Sequence, residues 1–330
     1  MDQIKWGIIG CGDVTEVKSG PAFNKVPDSA LVAVMRRDAD KAKHYAARHG
    51  VPKWYAKAED ILNDPEINAI YIATPPASHA EYAEKALQAG KFVYVEKPMT
   101  IDYLSALSLK AVVEQLGGKL SVAHYRRAQP RFLKIKELVD EGAIGKIKLV
   151  NLKFFRKNVS AGQLEISKYA WRVDPALAGG GLFHDIAPHQ LDMVYYLFGA
   201  VESVNGIATN SNALYAAADN ICGNILFKNK VLFSGSWCFD IGENALEDFC
   251  EIIGERGNIQ FSFFDKQDLR VTIDGQSEIH HFEEITHAQQ PLIEKIVSYF
   301  LDKGPNPCSI EEGLVTMELL EKIAGTSRSK

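Results

Sequence analysis

The sequence predicts an α/β protein with two domains: an N-terminal doubly wound parallel sheet and a C-terminal domain in which antiparallel strands dominate. Three observations support this prediction. A glycine-rich turn, Gly10-Cys11-Gly12, directly follows the first apolar strand; short apolar strands alternate with helices as far as residue 124; and longer strands replace that alternation from Lys146 onward. We therefore expect one domain over residues 1–124 and a second over residues 125–330.

The strands of the first domain are predicted from continuous apolar runs, which are typical of a parallel sheet covered on both faces. They are Ile4–Ile9, Leu31–Met35, Ile67–Ala73, Phe92–Val95 and Leu120–His124. The helices predicted between them are Asp40–His49, Ser78–Ala89 and Tyr103–Leu116. Gly50, Gly90 and Gly117 stand where these three helices should end.

The second domain is predicted from a change in the pattern of secondary structure. A helix is expected over Arg131–Val139, where Pro130 suits the first turn, and an alternating strand over Ile147–Arg156. Five further strands with turn signals between them are typical of an antiparallel meander. They are Ile221–Phe227, Val231–Trp237, Phe249–Ile253, Ile259–Phe263 and Leu269–Ile273. The helices expected in this part of the chain are Leu182–Leu197, Gln290–Leu301 and Ser309–Ala324.

Composition limits the class of protein. The chain has 330 residues, 46% hydrophobic and 24% charged, and 37 basic against 42 acidic residues give a net charge of −5. This profile excludes a disordered or fibrous chain and gives no general attraction to nucleic acid or to anionic lipid. The five cysteines form no C-x-x-C pair, so we expect reduced thiols, a cytoplasmic location and no metal site. We also expect no signal peptide and no membrane span, because no apolar run approaches about 20 residues.

The first motif predicts a phosphate-binding turn. Gly10 and Gly12 fit the pattern G-x-G-x-x-G, with a threonine in the third place. Glycine is needed where a chain turns tightly beside a pyrophosphate, and the amides that follow, from Asp13 and Val14, would hold the anion. The alternative is a glycine pair that only turns a strand into a loop, but the position after the first strand favours a dinucleotide. Gly20-Pro21 must interrupt the first helix, so we expect that helix to be short or split.

The end of the second strand, where a ribose is usually bound, has the sequence Arg36-Arg37-Asp38. An acidic residue directly after the strand would bind a ribose 2′-hydroxyl. Arg36 and Arg37 can instead hold a 2′-phosphate and stack on adenine. We therefore expect NADP rather than NAD. Two alternatives stay open: the arginines are solvated surface charges, or Asp38 is close enough to select NAD.

Two further motifs lie at the carboxyl ends of the next strands, the edge where ligands bind in such sheets. Thr74-Pro75-Pro76 and His79 follow one strand, and Glu96-Lys97-Pro98 ends the next. A lysine at a strand end can be a simple surface cation. Its place on the ligand-binding edge favours a functional role.

The last motif lies in the second domain. Trp171 and Arg172 precede three glycines and a helix on which Asp185, His189 and Asp192 share one face. The glycines would permit close approach of a ligand at the start of that helix. The alternative is that the histidine and an aspartate form a structural pair. Two acids and a histidine are, however, not typical of the face that a helix buries in a core.

Taken in order, these motifs resemble those of the Gfo/Idh/MocA oxidoreductase family, and the resemblance covers essentially the whole chain. It implies a Rossmann domain that binds the dinucleotide, followed by an α+β domain with a large, open, mostly antiparallel sheet for substrate binding and oligomerisation. That sheet commonly forms dimer or tetramer contacts in the family, so the resemblance implies a homodimer or homotetramer. Ala33–Asp38 is most similar to NADP-using members such as dimeric dihydrodiol dehydrogenases. His124-Tyr125-Arg126-Arg127 departs from the family, in which many members have an asparagine before the arginine.

The resemblance also implies individual roles. The family's lysine, aspartate and histidine correspond to Lys97, Asp185 and His189, which implies hydride transfer between a nicotinamide and a hydroxyl- or carbonyl-bearing carbon of a sugar, polyol or dihydrodiol. Lys97 would hydrogen-bond the substrate oxygen, and His189 would carry the proton, a role that Lys97 could share. Asp185 would orient His189 or bind a neighbouring hydroxyl. The expected cofactor-binding residues are Gly10, Gly12, Asp13, Val14, Arg36, Arg37, Thr74, Pro75, His79, Glu96, Lys97, Trp171 and Arg172. The expected substrate-binding residues are Lys97, Tyr125, Arg126, Phe155, Asp185 and His189.

Two of these residues, Trp171 and Phe155, could equally belong to the core. Two other functions also stay open. Some family members retain NAD and hydrolyse glycosides through transient oxidation, and others bind the dinucleotide as regulatory proteins. The intact set of Lys97, Asp185 and His189 argues against a regulatory protein.

Overall fold

A computed structural model of the protein describes residues 1–326. In chain order its strands are β1 (Ile4–Ile9), β2 (Ser29–Met35), β3 (Lys53–Tyr55), β4 (Ala69–Ile72), β5 (Phe92–Val95), β6 (Leu120–Val122), β7 (Ile147–Phe155), β8 (Val201–Thr209), β9 (Asn220–Phe227), β10 (Leu232–Cys238), β11 (Glu247–Gly254), β12 (Gly257–Phe261), β13 (Leu269–Ile273) and β14 (Gln276–His280). Its helices are α1 (Asp13–Val17), α2 (Ala39–His49), α3 (Ala58–Leu62), α4 (His79–Gln88), α5 (Tyr103–Leu116), α6 (Pro130–Asp140), α7 (Ala161–Leu164), α8 (Ser167–Val173), α9 (Pro175–Ala178), α10 (Gly181–Phe198), α11 (Gln290–Phe300) and α12 (Ile310–Ala324).

The described chain forms two compact units. The first comprises Met1–Gln129 and Ile285–Met317, and the second comprises Pro130–Glu284 and the chain from Glu318 onward. The first unit contains a six-stranded sheet of order β3-β2-β1-β4-β5-β6, in which every pair of neighbouring strands is parallel. The second contains an eight-stranded, mostly antiparallel sheet. The predicted fold class is confirmed.

Local signals determine where the helices of the first unit begin and end. The Asp38 carboxylate caps α2 and the Asp102 carboxylate caps α5, each by accepting a backbone N–H three residues on. Both helices end at a glycine with left-handed backbone, Gly50 and Gly117. These are the residue types that such positions favour, because an aspartate oxygen satisfies an orphan donor and glycine carries no Cβ.

The segment 285–317 belongs to the first unit, although the sequence analysis assigned it to the second domain. The apolar face of α11, formed by Leu292, Ile293, Ile296, Val297 and Phe300, is buried in the core of the first unit. Phe300 lies 5.6 Å from Trp6, between ring centroids. The apolar face of α11 therefore stabilises the first unit. The predicted division into two continuous segments does not include this return of the chain to the first unit. The functional division into a cofactor domain and a substrate domain stays a prediction.

The order of strands in the second unit is β14-β13-β12-β11-β7-β10-β9-β8. The predicted meander is therefore interrupted, because β7 lies between β10 and β11 and is parallel to β10. The buried row of β7 explains this insertion. Val150 stands opposite both Phe233 of β10 and Ile252 of β11, so three buried side chains align across neighbouring strands.

The other face of this sheet carries exposed apolar side chains. Leu149 and Leu232 stand opposite each other on β7 and β10 and are 40% and 41% exposed, and Ile207 on the edge strand β8 is 74% exposed. The side chains between them include small polar residues such as Ser234 and Asn224. Within residues 1–326, no helix combines the length and apolar character that crossing a membrane requires.

Candidate active site

The glycine turn after β1 places backbone without side chains at the carboxyl end of that strand. Gly10 has a φ of +93°, and a Cβ placed on it would lie 2.7 Å from Cγ2 of Thr74. Gly12 is open by contrast, since a Cβ there would meet only the Gly10 carbonyl oxygen, at 3.8 Å. Gly10 is thus required for the turn itself, whereas the space above Gly12 is available to a ligand. This arrangement fits a pyrophosphate held by backbone amides.

The first helix is short, as predicted. Helix α1 has five residues and is followed by a 3₁₀ turn over Gly20–Asn24. The hydroxyl of Tyr45 donates a hydrogen bond to the Thr15 carbonyl at 2.7 Å, and any Cβ on Gly20 would overlap both groups. A helix of this length has a small dipole, so an anion at this turn would depend mainly on the backbone amides around Asp13 and Val14.

The two arginines that follow β2 differ in burial and in their contacts. Arg36 is half-buried, and its Nη1 donates a hydrogen bond to the Cys11 carbonyl oxygen at 3.2 Å, which ties this side chain to the glycine turn. Arg37 is exposed. Asp38 accepts a hydrogen bond from the Lys41 amide at 3.1 Å and pairs with Lys41 Nζ at 2.9 Å, and these contacts lower the pKa of Asp38. The Asp38 carboxylate is therefore engaged at the start of α2.

The carboxyl ends of β4 and β5 are joined through His79. Its ring nitrogens lie 2.7 Å from the Thr74 carbonyl oxygen and 2.9 Å from the Pro98 carbonyl oxygen. The imidazole is buried, which lowers its pKa. The Ser78 hydroxyl donates to Thr74 Oγ1 at 2.8 Å, and Pro75 precedes this turn. His79 thus fixes the two loops that follow β4 and β5 relative to each other, and both of its ring nitrogens contact backbone carbonyl oxygens.

A buried polar network lies beneath Lys97. The Tyr71 hydroxyl and the Gln289 side-chain amide both donate to Oε1 of Glu96, and the Lys97 amide donates to Oε2 at 3.2 Å. The Tyr94 hydroxyl donates to Oε1 of Gln289 at 2.7 Å. Burial and the adjacent Glu96 carboxylate raise the pKa of Tyr71, so it stays a donor. Glu96, expected to bind cofactor, instead faces the interior and holds the strand end from which the half-buried Lys97 extends.

Tyr125 and Arg126 follow β6 in a 3₁₀ turn over Tyr125–Ala128. Both are buried, and the Arg126 guanidinium lies 5.5 Å from the centroid of the Tyr125 ring. The next residue, Arg127, donates to a carboxylate oxygen of Glu312 at 2.5 Å. The first unit thus places its predicted site residues at the carboxyl ends of β1, β2, β4, β5 and β6. This is the edge at which ligands bind in open parallel sheets.

The second unit carries the remaining predicted residues. Helix α10 contains Asp185, His189 and Asp192, and the predicted spacing puts them on one helical face. The Arg172 Nε lies 3.3 Å from Oδ2 of Asp185, and the Arg172 guanidinium lies 4.6 Å from the centroid of the Trp171 ring. The structure therefore brings Trp171, Arg172 and Asp185 together. Asp185 is a quarter exposed, so its carboxylate is accessible while its charge is balanced by Arg172.

The glycines at the start of α10 accommodate the protein's own side chains. A Cβ on Gly180 would overlap the His184 ring, and a Cβ on Gly181, whose φ is +71°, would overlap the Ala217 side chain. The expectation that these glycines admit a ligand therefore needs a correction: they allow a buried histidine and a loop residue to pack against the start of the helix. Burial lowers the pKa of His184 to about 4.

Two aromatic residues near His189 escaped the sequence analysis. The Phe264 ring packs edge-on against His189, with 5.7 Å between centroids, and lies 5.2 Å from the ring of Phe154. Phe155, expected to bind substrate, is on the opposite face of the sheet, because side chains alternate along β7 and Phe154 is on the buried face. The aromatic residue of β7 on the His189 side is thus Phe154. An alternating strand predicts two faces, but it does not say which face meets α10.

A parallel six-stranded sheet with a glycine turn after its first strand is the mark of a Rossmann-type dinucleotide-binding protein. The family model described as "Oxidoreductase family, NAD-binding Rossmann fold" matches residues 4–124, and that of the GFO/IDH/MocA C-terminal domain matches residues 132–260. The chain therefore belongs to the GFO/IDH/MocA family of oxidoreductases, and the resemblance found from the motifs is confirmed.

Several relatives are similar over much or all of the chain. Oxidoreductase P35 of Formosa agariphila is 46% identical over 328 residues, which cover 98% of this chain and 99% of that protein. The scyllo-inositol 2-dehydrogenase (NADP(+)) of Bacillus subtilis is 32% identical over 217 residues, 64% of this chain and 57% of that protein. Levoglucosan dehydrogenase, solved with NADH and levoglucosan, has a TM-score of 0.87 at 21% identity and covers 98% and 97% of the two chains. This last likeness concerns the fold.

Proposed function

We propose that this protein is a dehydrogenase or reductase that transfers hydride between NADP and a secondary alcohol or ketone carbon of a cyclic sugar or polyol. The observation that carries the proposal is the support around Lys97. A buried carboxylate, two tyrosines and a glutamine fix the end of β5, and the lysine that follows is only half-buried. Such fixed support suits a group that must meet a developing charge at one defined point.

We assign the reacting roles as follows. Lys97 donates a hydrogen bond to the substrate oxygen and stabilises negative charge on it. His189 accepts the hydroxyl proton during oxidation and returns it during reduction. Asp185, whose charge is balanced by Arg172, binds a neighbouring hydroxyl or orients His189. When bound, the nicotinamide supplies or accepts the hydride. Lys97 could share the proton transfer with His189.

The substrate class is inferred from relatives and from chemistry. Scyllo-inositol and levoglucosan, the compounds named for two proteins similar to this one, both carry secondary hydroxyls on a ring. A screen of NADP and NAD against inositols, anhydrosugars, aldoses and dihydrodiols, followed by the absorbance of the reduced nicotinamide, tests the proposal. Net reduction of the cofactor with a ring alcohol is the expected result. Tightly retained cofactor with glycoside cleavage and no net reduction would indicate the hydrolase alternative instead.

Cofactor preference should depend on Arg36 and Arg37. Arg36 is fixed beside the glycine turn by the Cys11 carbonyl, and the Asp38 carboxylate is engaged by Lys41, which supports NADP. We expect the combined change Arg36→Asp and Arg37→Ala to lower the NADP/NAD ratio of kcat/KM by about 100-fold, as the loss of charge-assisted phosphate contacts implies. Asp38→Asn is the control and should leave that ratio within about threefold. An unchanged ratio in the double variant would make the arginines surface charges.

We also propose that the outer face of the eight-stranded sheet joins copies of the chain into a homodimer or homotetramer. Leu149 and Leu232 adjoin each other there, and both are about two-fifths exposed. Leu149→Lys combined with Leu232→Lys should shift the molecular mass in solution, measured by light scattering, to that of a monomer, because it buries two ammonium groups at a contact. Leu133→Lys, on the exposed side of α6, is the matched control. A wild type that is already monomeric would contradict this proposal.

A further inference from the structure

The turn that follows β12, Ser262–Lys266, is organised around one buried carboxylate. Oδ1 of Asp248 accepts the amide of Phe263 at 3.0 Å, and Oδ2 accepts the amides of Phe264 and Asp265 at 2.6 and 2.9 Å. The Asp248 side chain is 1% exposed. Three successive amides therefore converge on one buried anion, and hydrogen bonds to a charged acceptor are among the stronger ones in proteins.

Two arginines hold the same turn through its other polar groups. Arg131 is buried and donates to the carbonyl oxygens of Phe263 and Lys266. Arg156 pairs with Asp265, with 2.7 Å between Nη2 and Oδ1. The amides of the turn thus bind an anion and its carbonyls bind a cation. A connected network of this kind restricts a segment that has no helix or strand hydrogen bonds of its own.

The two phenylalanines of this turn point in different directions. Phe263 is 1% exposed and packs in the core against Phe132, at 5.5 Å between ring centroids. Phe264 packs instead against Phe154 and His189, and it is only half-buried. The charged network therefore holds an aromatic ring, part of whose surface is still accessible, directly beside the histidine that the proposed function uses as proton carrier.

We propose that Phe264 determines specificity for cyclic substrates and that Asp248 is its positioning residue; this inference rests on the proposed function. A ring alcohol presents a compact face of C–H groups that can stack on an aromatic face with little loss of conformational freedom. An open-chain polyol must first be ordered to present such a face. Phe264 thereby holds the carbon that carries the reacting hydroxyl next to His189.

Paired probes of equal carbon number test the role of Phe264: scyllo-inositol as the ring and D-glucitol as the open chain, with binding measured by calorimetry and turnover by cofactor absorbance. Phe264→Ala should weaken binding and lower kcat/KM for scyllo-inositol about tenfold, mainly through KM. The effect on D-glucitol should stay under about threefold. Phe264→Tyr keeps the ring and should retain most of the preference. Phe282→Ala, which removes a half-buried phenylalanine from the segment after β14, is the control and should change neither probe.

A double-mutant cycle tests Asp248. Asp248→Asn should lower the ring preference on its own and have little further effect in the Phe264→Ala background, because it acts through that ring. Additive losses of ring preference would show that Asp248 does not act through Phe264 and only supports folding. An equal loss for both probes in Phe264→Ala, or no loss for the ring, would overturn the assignment of Phe264 while the proposed function stands. A wild type that neither binds nor oxidises any sugar or polyol, cyclic or open-chain, while it still binds the dinucleotide, would overturn the proposed function itself and this inference with it.

Discussion

Replacing Lys97 with methionine should lower kcat by about 100- to 1,000-fold while the dissociation constant for NADPH changes by less than about threefold. Methionine is an unbranched side chain only one atom shorter, and it removes the charge and the donors. The Lys97 backbone should stay in place, because its amide is held by Glu96 and the Glu96 carboxylate is held by Tyr71 and Gln289. The loss would then report on the ammonium group.

Separate measurements of binding and turnover distinguish this result from a folding defect. NADPH fluorescence gives the dissociation constant, and a single turnover with saturating substrate gives the rate of the chemical step. Lys85→Met is the matched control, because Lys85 lies on α4 and pairs with Glu81 on the surface at 2.6 Å. It should behave as the wild type does. Turnover close to normal in Lys97→Met would remove this residue from the reaction.

The part of the fold that the sequence predicts best is the part built from local signals. β1, β5, α5 and β13 have the predicted bounds, since apolar or alternating runs and an Asp cap are properties of short segments. β3, β8 and β14 were not predicted. β8 is an edge strand whose residues are mostly exposed or half-buried, so it lacks the apolar run on which the analysis depended. The insertion of β7 between β10 and β11 depends on which buried rows meet in space, which no local pattern contains.

The candidate site likewise contains residues that local sequence patterns predict and residues that they do not. The glycine turn and the helical face of Asp185 and His189 were predicted, because their spacing is itself the signal. The partners that hold them were not. Gln289 contacts Glu96 across 193 residues of sequence, and Phe264 directly follows the predicted strand Ile259–Phe263, which in the structure already ends at Phe261. Nothing in the local sequence of either residue distinguishes it from a helix-flanking amide or a core aromatic.

His189→Asn should lower kcat by about 100- to 10,000-fold, the range that loss of a positioned acid or base produces, and should also remove a limb of the pH–rate profile. During alcohol oxidation the wild-type kcat/KM should be lost on the acid side of the profile, because a protonated ring cannot accept the hydroxyl proton. During ketone reduction it should be lost on the alkaline side, because a neutral ring has no proton to return. The variant should lack both of these limbs, and measuring both directions separates a proton carrier from a residue that only shapes the pocket.

A second histidine on the same helix makes the test specific. Burial lowers the pKa of His184 to about 4, so this ring is neutral throughout an assay near neutral pH and has no proton to exchange there. His184→Gln loses the packing against Gly180 and so lowers stability, but it should leave the shape of the pH–rate profile unchanged. A second control is His44→Asn, because His44 is exposed on α2 and its replacement removes no buried packing. If His189→Asn kept both limbs, the proton would have to move through another group, and Lys97, which stands at the end of a strand fixed by buried hydrogen bonds, would be the group to test next.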